Sequence, residues 1–197
     1  IMPVLMLMGC LGFMFGTGGS ALVSKTMGEG DYEKANGYFS LIVYANIILG
    51  VIIAVLGFVF LEPVAKLLKA GDLLEDCLIY GRIIIIAVPF YMTQYAFQAF
   101  FVTANKPGLG LTVTVISGVT NMVLDALFMA VFKWGLIGAA SATAISQFVG
   151  GIIPLMYFFS KNNSLLRLGR TKFEMKVLLK TCGNGSSEVM TNISMSL

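Results

Sequence analysis

Charged residues fall along the chain at intervals that leave long apolar runs between them. Ile1 to Ser24, Ala35 to Leu61, Ile83 to Asn105 and Trp134 to Ser160 carry no charge, and between Lys106 and Lys133 the sole charge is Asp125. A helix rising ~1.5 Å per residue needs about 20 apolar residues to cross a ~30 Å hydrocarbon core, and all five runs meet that length. The runs are continuous and lack the ~10-residue alternating segments of outer-membrane strands. The pattern therefore predicts an all-α fold, a polytopic transmembrane helical bundle with spans at approximately 1–24, 36–61, 83–105, 108–132 and 134–160. Residues 161–184 are expected to form a connection and 185–197 the start of the next span.

Composition sharpens this reading. Hydrophobic residues make up 57% of the chain and charged ones 12%, far from the roughly 25% charged residues of an ordinary soluble domain. The chain opens without a methionine and stops inside an apolar stretch, so it is expected to be part of something longer. The first run is too long and glycine-rich for a secretory signal and is read as a mature span. Cys10, Cys77 and Cys182 are an odd number at wide spacing and suggest neither a disulfide framework nor a metal site.

Basic residues near span ends are retained on the cytoplasmic side. Lys25, Lys34, Lys106 and the six of the last connection (Lys161, Arg167, Arg170, Lys172, Lys176, Lys180) make nine on one face; Lys66, Lys69, Arg82 and Lys133 make four on the other. The long final connection is thus expected to be cytoplasmic. Topology alone accounts for the net charge of +3, and no nucleic-acid partner is implied. Glu62-Pro63 is expected to end the second span and open an interfacial segment in which Val64, Leu67, Leu68 and Leu74 face lipid. Phe173, Val177 and Leu178 suggest a similar anchor on the cytoplasmic side.

Polar groups inside spans carry the chemistry, because hydrocarbon offers them no partner and a central charge costs ~2.5 to 3.5 kcal/mol on the insertion scale. Thr114, Ser117, Gly118, Asn121 and Asp125 recur at intervals of three and four, on one helical face. Asn121 lies one turn before Asp125, where its amide can donate to the carboxylate or help it hold a cation. Ala139, Thr143, Ser146, Gln147 and Gly150 form a matching small and polar stripe on the next helix. Asp125 and Thr143 are each nine residues from Trp134, so the two are expected to be level, roughly 13 Å inward. The predicted site is Asn121, Asp125 and Thr143, facing a cavity in the outward half of the bundle.

A carboxylate in a low-dielectric surround holds a proton more readily, whereas a neighbouring cation favours its ionised form. Such a group exchanges a proton for a cation, as the coupling site of an antiporter must. The plainer alternative is a hydrogen bond to a neighbouring helix. On the third span Tyr91, Gln94, Tyr95 and Gln98 share a face just after Pro89; with Gln147 they are candidates to line the substrate cavity, where aromatic rings can meet cations. Ordinary interhelical packing explains the same residues.

Enzymatic readings find little support. Histidine is absent, which rules out Ser/His/Asp and Cys/His sets. Gly16, Gly18, Gly19, Ser20, Ser24 and Lys25 do not meet the spacing of a phosphate-binding loop, and no strand precedes them. No enzyme activity and no cofactor are expected.

The run from Phe15 through Gly18-Gly19-Ser20 to Ser24, continuing through Gly28-Glu-Gly-Asp31 to Lys34-Ala35, resembles the end of the second helix and following loop of the multidrug and toxic compound extrusion family. Pro89-Phe90, Asn121-Met-Val-Leu-Asp125, Gly135 to Thr143 and Ser146-Gln147 follow in the family's order and spacing. The resemblance covers essentially the whole chain and is to the prokaryotic branch. It implies helices two to six and the start of helix seven of a twelve-helix transporter, most of the amino-terminal six-helix lobe, with 161–184 the cytoplasmic inter-lobe connection. The first helix, which carries a further aspartate of the family's cation site, and most of the carboxy-terminal lobe are not in this sequence. The resemblance further implies secondary active efflux of small organic, often cationic, compounds across a prokaryotic inner membrane, in exchange for protons or sodium ions. Asparagine, aspartate and threonine ligands of the family's site match Asn121, Asp125 and Thr143, a possible sodium site. The alternatives are a lipid-linked oligosaccharide flippase of the same superfamily, for which a more cationic cavity is expected, and a non-transporting structural or channel subunit.

Overall fold

The computed structural model describes residues 2–67, 74–160, 164–171 and 173–196. Six α-helices account for most of it: α1 (Met2–Gly28), α2 (Tyr32–Leu67), α3 (Leu74–Thr103), α4 (Pro107–Asp125), α5 (Gly135–Phe159) and α6 (Met175–Ser196). A π-helical segment, Ala126–Val131, continues α4 directly. No strand occurs among the described residues, so the fold is all-α. Four helices there, over Tyr32–Pro63, Glu75–Thr103, Pro107–Val131 and Gly135–Phe159, are long and apolar enough to cross a membrane. The expected fifth span falls on the 27-residue α1.

Helix ends follow local chemistry rather than the limits of apolarity. Gly30 adopts φ +86°, and Asp31 then caps α2 by accepting from the Lys34 amide at 3.0 Å. At the start of α4, Asn105 takes a left-handed φ of 57° and Pro107 occupies the first turn, where a missing N–H costs nothing. The apolar span within α2 closes at Pro63, and the helix itself runs on through the proline to Leu67, with Val64 and Leu67 part of it. A single proline removes one internal hydrogen bond, which a 36-residue helix tolerates. Of the expected interfacial segment, Leu68 lies outside the described residues and Leu74 opens α3.

Within the expected 161–184 connection, α6 begins at Met175, because Val177, Leu178, Thr181, Cys182 and Gly185 form a stripe at helical spacing. Val177 is buried in the core, whereas Phe173 is exposed, so the two do not form one lipid-facing anchor. Ahead of α6, an extended strap lies along α2. The Arg167 amide donates to Asn36 Oδ1 at 2.7 Å, the Gly169 amide to Ser40 Oγ at 3.0 Å, and the Thr171 hydroxyl to the Gly37 carbonyl at 2.8 Å. Leu166 and Leu168 are buried beneath it.

The core is aromatic. Phe39 packs edge-on against Phe100 and Phe158 at ring-centroid distances of 4.8 and 5.1 Å, and Phe97 stacks on Phe158 at 5.3 Å. Around it, small residues bring backbones together, the usual basis of helix association in lipid. A methyl on Gly16 of α1 would stand 2.8 Å from the Ala96 backbone of α3, and one on Gly50 of α2 would stand 2.8 Å from Pro89. Gly18 of α1 abuts Thr181 and Gly185 of α6 in the same manner. Apolar side chains left exposed along α2 and α4, among them Val55, Val59, Leu111 and Met122, are surfaces that hydrocarbon solvates better than water.

Candidate functional site

α4 and α5 are antiparallel neighbours, and their contact is registered by one buried hydrogen bond from Ser117 Oγ to the Ser146 carbonyl, 2.8 Å long. Near the turn, a methyl on Gly138 would lie 3.0 Å from Phe128 Cβ, which fixes a second point of contact. Between these points α4 and its π segment advance from 117 to 128 while α5 retreats from 146 to 138. Asn121, Asp125 and Thr143 all lie between these two contacts. The turn that joins the helices bends at Lys133 and Gly135, both with φ 54°.

Within this seam three side chains carry buried polar atoms without a hydrogen-bond partner: Asn121 Nδ2, Asp125 Oδ1 and Gln147 Oε1. A buried polar atom left unsatisfied costs ~1 to 3 kcal/mol, so their collection on two packed helices asks for an explanation beyond stability. Asp125 is also the last residue of α4 before the π segment, where the Phe132 amide bonds back to the Leu127 carbonyl at 3.0 Å. π turns recur at functional sites because the extra residue re-aims side chains. Thr143 is half-buried, and its carbonyl accepts from Ser146 Oγ at 2.8 Å. Thr114, placed on the same stripe, is exposed, and its hydroxyl donates to its own helix at Gly110.

The cavity candidates on α3 divide between two neighbours. Tyr91 and Tyr95 join through their hydroxyls at 3.4 Å with rings edge to face, and a methyl on Gly9 of α1 would meet the Tyr91 hydroxyl at 3.1 Å. Gln94 instead lies over Gly150 of α5, one turn from Gln147. Gln98 is half-buried. A cavity of about 440 Å³ does form, but between α2, α3 and α5, and none of these four residues lines it.

Two further polar side chains were not singled out in the sequence. Asn46 is fully buried in α2 with neither amide atom partnered, and Thr181 Oγ1 of α6 is likewise unpaired. The signal was present for Asn46, an amide in the middle of an apolar run.

Comparison with known proteins agrees with this architecture. The family model described as MatE matches residues 1–127. The chain is 30% identical over 165 residues to multidrug export protein MepA of Staphylococcus haemolyticus, covering 83% of this chain and 36% of that protein. To the protein of the same description from Staphylococcus aureus strain MRSA252 it is 26% identical over 178 residues, covering 88% and 40%. The chain thus spans well under half the length of these curated relatives. An inward-facing structure of a multidrug resistance MATE family transporter of the MOP superfamily superposes with a TM-score of 0.91 at 21% identity, covering 98% of this chain and 45% of that one.

Proposed function

The chain belongs to the MatE family, and from that premise we propose that it is the larger part of one lobe of an ion-driven exporter of small organic, often cationic, compounds. The single observation that carries the coupling site is the buried, unpartnered Asp125 Oδ1, one helical turn from the unpartnered Nδ2 of Asn121 on the same helix.

Asp125 supplies one negative charge that the driving ion and the cationic substrate occupy in turn. A proton satisfies it as a covalent O–H. A sodium ion satisfies it through oxygens, for which the Asp125 carboxylate, the Asn121 amide oxygen and the Thr143 hydroxyl are the proposed ligands. Either occupant removes the cost of a bare carboxylate in hydrocarbon and so permits the lobe to reorient; the substrate does the same in the opposite direction. Tyr91, Gln94, Gln98 and Gln147 are assigned to the substrate path, with Tyr91 and Tyr95 offering ring faces to organic cations. The protein is a multi-pass membrane protein, placed in the prokaryotic inner membrane with the strap and the start of α6 on the cytoplasmic side.

The test uses the full-length protein in vesicles, with efflux of a fluorescent organic cation measured under an imposed proton gradient and, separately, a sodium gradient. Transport driven by either gradient and lost in Asp125→Asn, with insertion intact, identifies both the coupling group and the ion. Transport indifferent to both gradients, or retained in the variant, removes the antiporter mechanism and turns the question to a flippase or a non-transporting subunit.

A further inference from the structure

We propose that the groove between α2 and α3 seats one acyl chain of a membrane phospholipid, whose phosphate pairs with Arg82. The groove has a volume of about 440 Å³, within the range of specific small-molecule sites. Its walls are Val51, Val55 and Phe58 of α2 and Ile85, Ile86 and Pro89 of α3, with Leu155 of α5 behind them. Val55, Phe58 and Ile86 are each more than half exposed, so the groove opens on the outside of the bundle rather than toward the α4–α5 seam.

The layout is that of an amphiphile. Arg82, Ile85, Ile86, Pro89 and Thr93 recur at three, four, seven and eleven positions along α3 and so share one helical face. The Arg82 guanidinium sits over the Phe58 ring, 5.9 Å from its centroid, which brings the charge to the mouth of the groove. Glu62, one turn beyond Phe58, has an interaction of its own. From Arg82 to Thr93 the helix rises roughly 16 Å, about half of a ~30 Å hydrocarbon core. One cation at the interface and an apolar channel one leaflet deep match a phosphate headgroup and a single chain. A packed helix from another protein would need neither. An arginine at this depth also fits the preference of guanidinium for phosphate oxygens.

The experiment is native mass spectrometry of the full-length protein in mild detergent, titrated with dioleoyl phosphatidylglycerol or with dioleoylglycerol, which has the same chains and no phosphate. The variants are Arg82→Gln, two groove-filling changes (Val55→Trp and Ile86→Trp), and Val102→Trp as an exposed α3 control outside the groove. The expected result is one phosphatidylglycerol retained about tenfold more strongly than dioleoylglycerol, the preference abolished by Arg82→Gln. Either tryptophan should weaken both lipids, and Val102→Trp neither. Equal retention in all variants overturns the proposal. So does an effect of Arg82→Gln without any effect of groove filling, which would leave the phosphate contact with no seated chain. A dimer dispersed by Val55→Trp would give the groove to a second copy and overturn it equally.

Discussion

The Ser117 hydroxyl donates across the α4–α5 interface to the Ser146 carbonyl at 2.8 Å, and both residues are buried. This bond ties α4 to α5 one helical turn from Asn121 on the one helix and from Thr143 on the other. Interhelical hydrogen bonds in lipid average only ~0.6 kcal/mol, so Ser117→Ala should lower the melting temperature of the detergent-solubilised protein slightly. Ser117→Leu should do far more, because a larger side chain at a close crossing drives the helices apart. A measured order with Ala as damaging as Leu would mean that the bond, not the packing, holds the seam.

Asn121→Ala and Thr143→Ala each remove one proposed ligand of the ion at Asp125. A hydrogen bond or ligand contact to a charged group is worth ~1.5 to 3 kcal/mol, and each 1.4 kcal/mol is tenfold in affinity. The concentration of driving ion giving half-maximal transport should therefore rise about tenfold or more in each variant, with expression and melting temperature near wild type. Unchanged ion dependence in both would separate Asp125 from these two side chains and leave it acting alone.

Gly150 and Gly151 are adjacent yet should respond differently to alanine. A methyl on Gly151 would stand 2.8 Å from the Phe90 carbonyl oxygen and 3.0 Å from its Cα, backbone that cannot yield without moving α3. A methyl on Gly150 meets only the amide end of the Gln94 side chain, which can swing away. Gly151→Ala should thus cost ~1 to 3 kcal/mol, read as a fall in melting temperature. Gly150→Ala should keep stability but displace Gln94, and its expected signature is an altered ranking of transported compounds in an efflux panel.

The five apolar runs were legible because hydrocarbon imposes a minimum length and tolerates no stray charge, two constraints that survive in composition alone. Helix ends were less so, since outside hydrocarbon they are set by caps and packing. Asp31 caps α2 four residues before the apolar run begins, and α6 starts at Met175 among lysines because its apolar stripe packs on α1. The polar stripe through Ser117, Asn121 and Asp125 was readable from helical periodicity. The π segment after Asp125 was not: Ala126–Val131 contains no glycine or proline that would announce it, and it arises from how the turn closes through Phe128, Phe132 and Trp134, whose rings stack at 5.1 to 6.1 Å. Asn46 belongs to no such stripe: the positions three and four away are Ile42, Val43, Leu49 and Gly50, so periodicity does not mark it.

The strap along α2 offers a test of how firmly the connection is held. Asn36 Oδ1 and Ser40 Oγ accept from the amides of Arg167 and Gly169, one helical turn apart on α2 and two residues apart on the strap, the match expected when an extended chain lies along a helix. Arg167 and Arg170 are exposed, so trypsin has access to the side chains and is held back by the backbone bonds beside them. Removing both acceptors in Asn36→Ala/Ser40→Ala should raise the opening of the strap by roughly tenfold, taking ~1 kcal/mol for each lost bond less some compensation by water. Limited trypsin digestion of the full-length protein in detergent should show the same fold increase in cleavage at these two arginines. If cleavage is unchanged, Leu166 and Leu168, buried against the aromatic core, hold the strap by packing, and Leu168→Ala should then release it where the polar double variant did not.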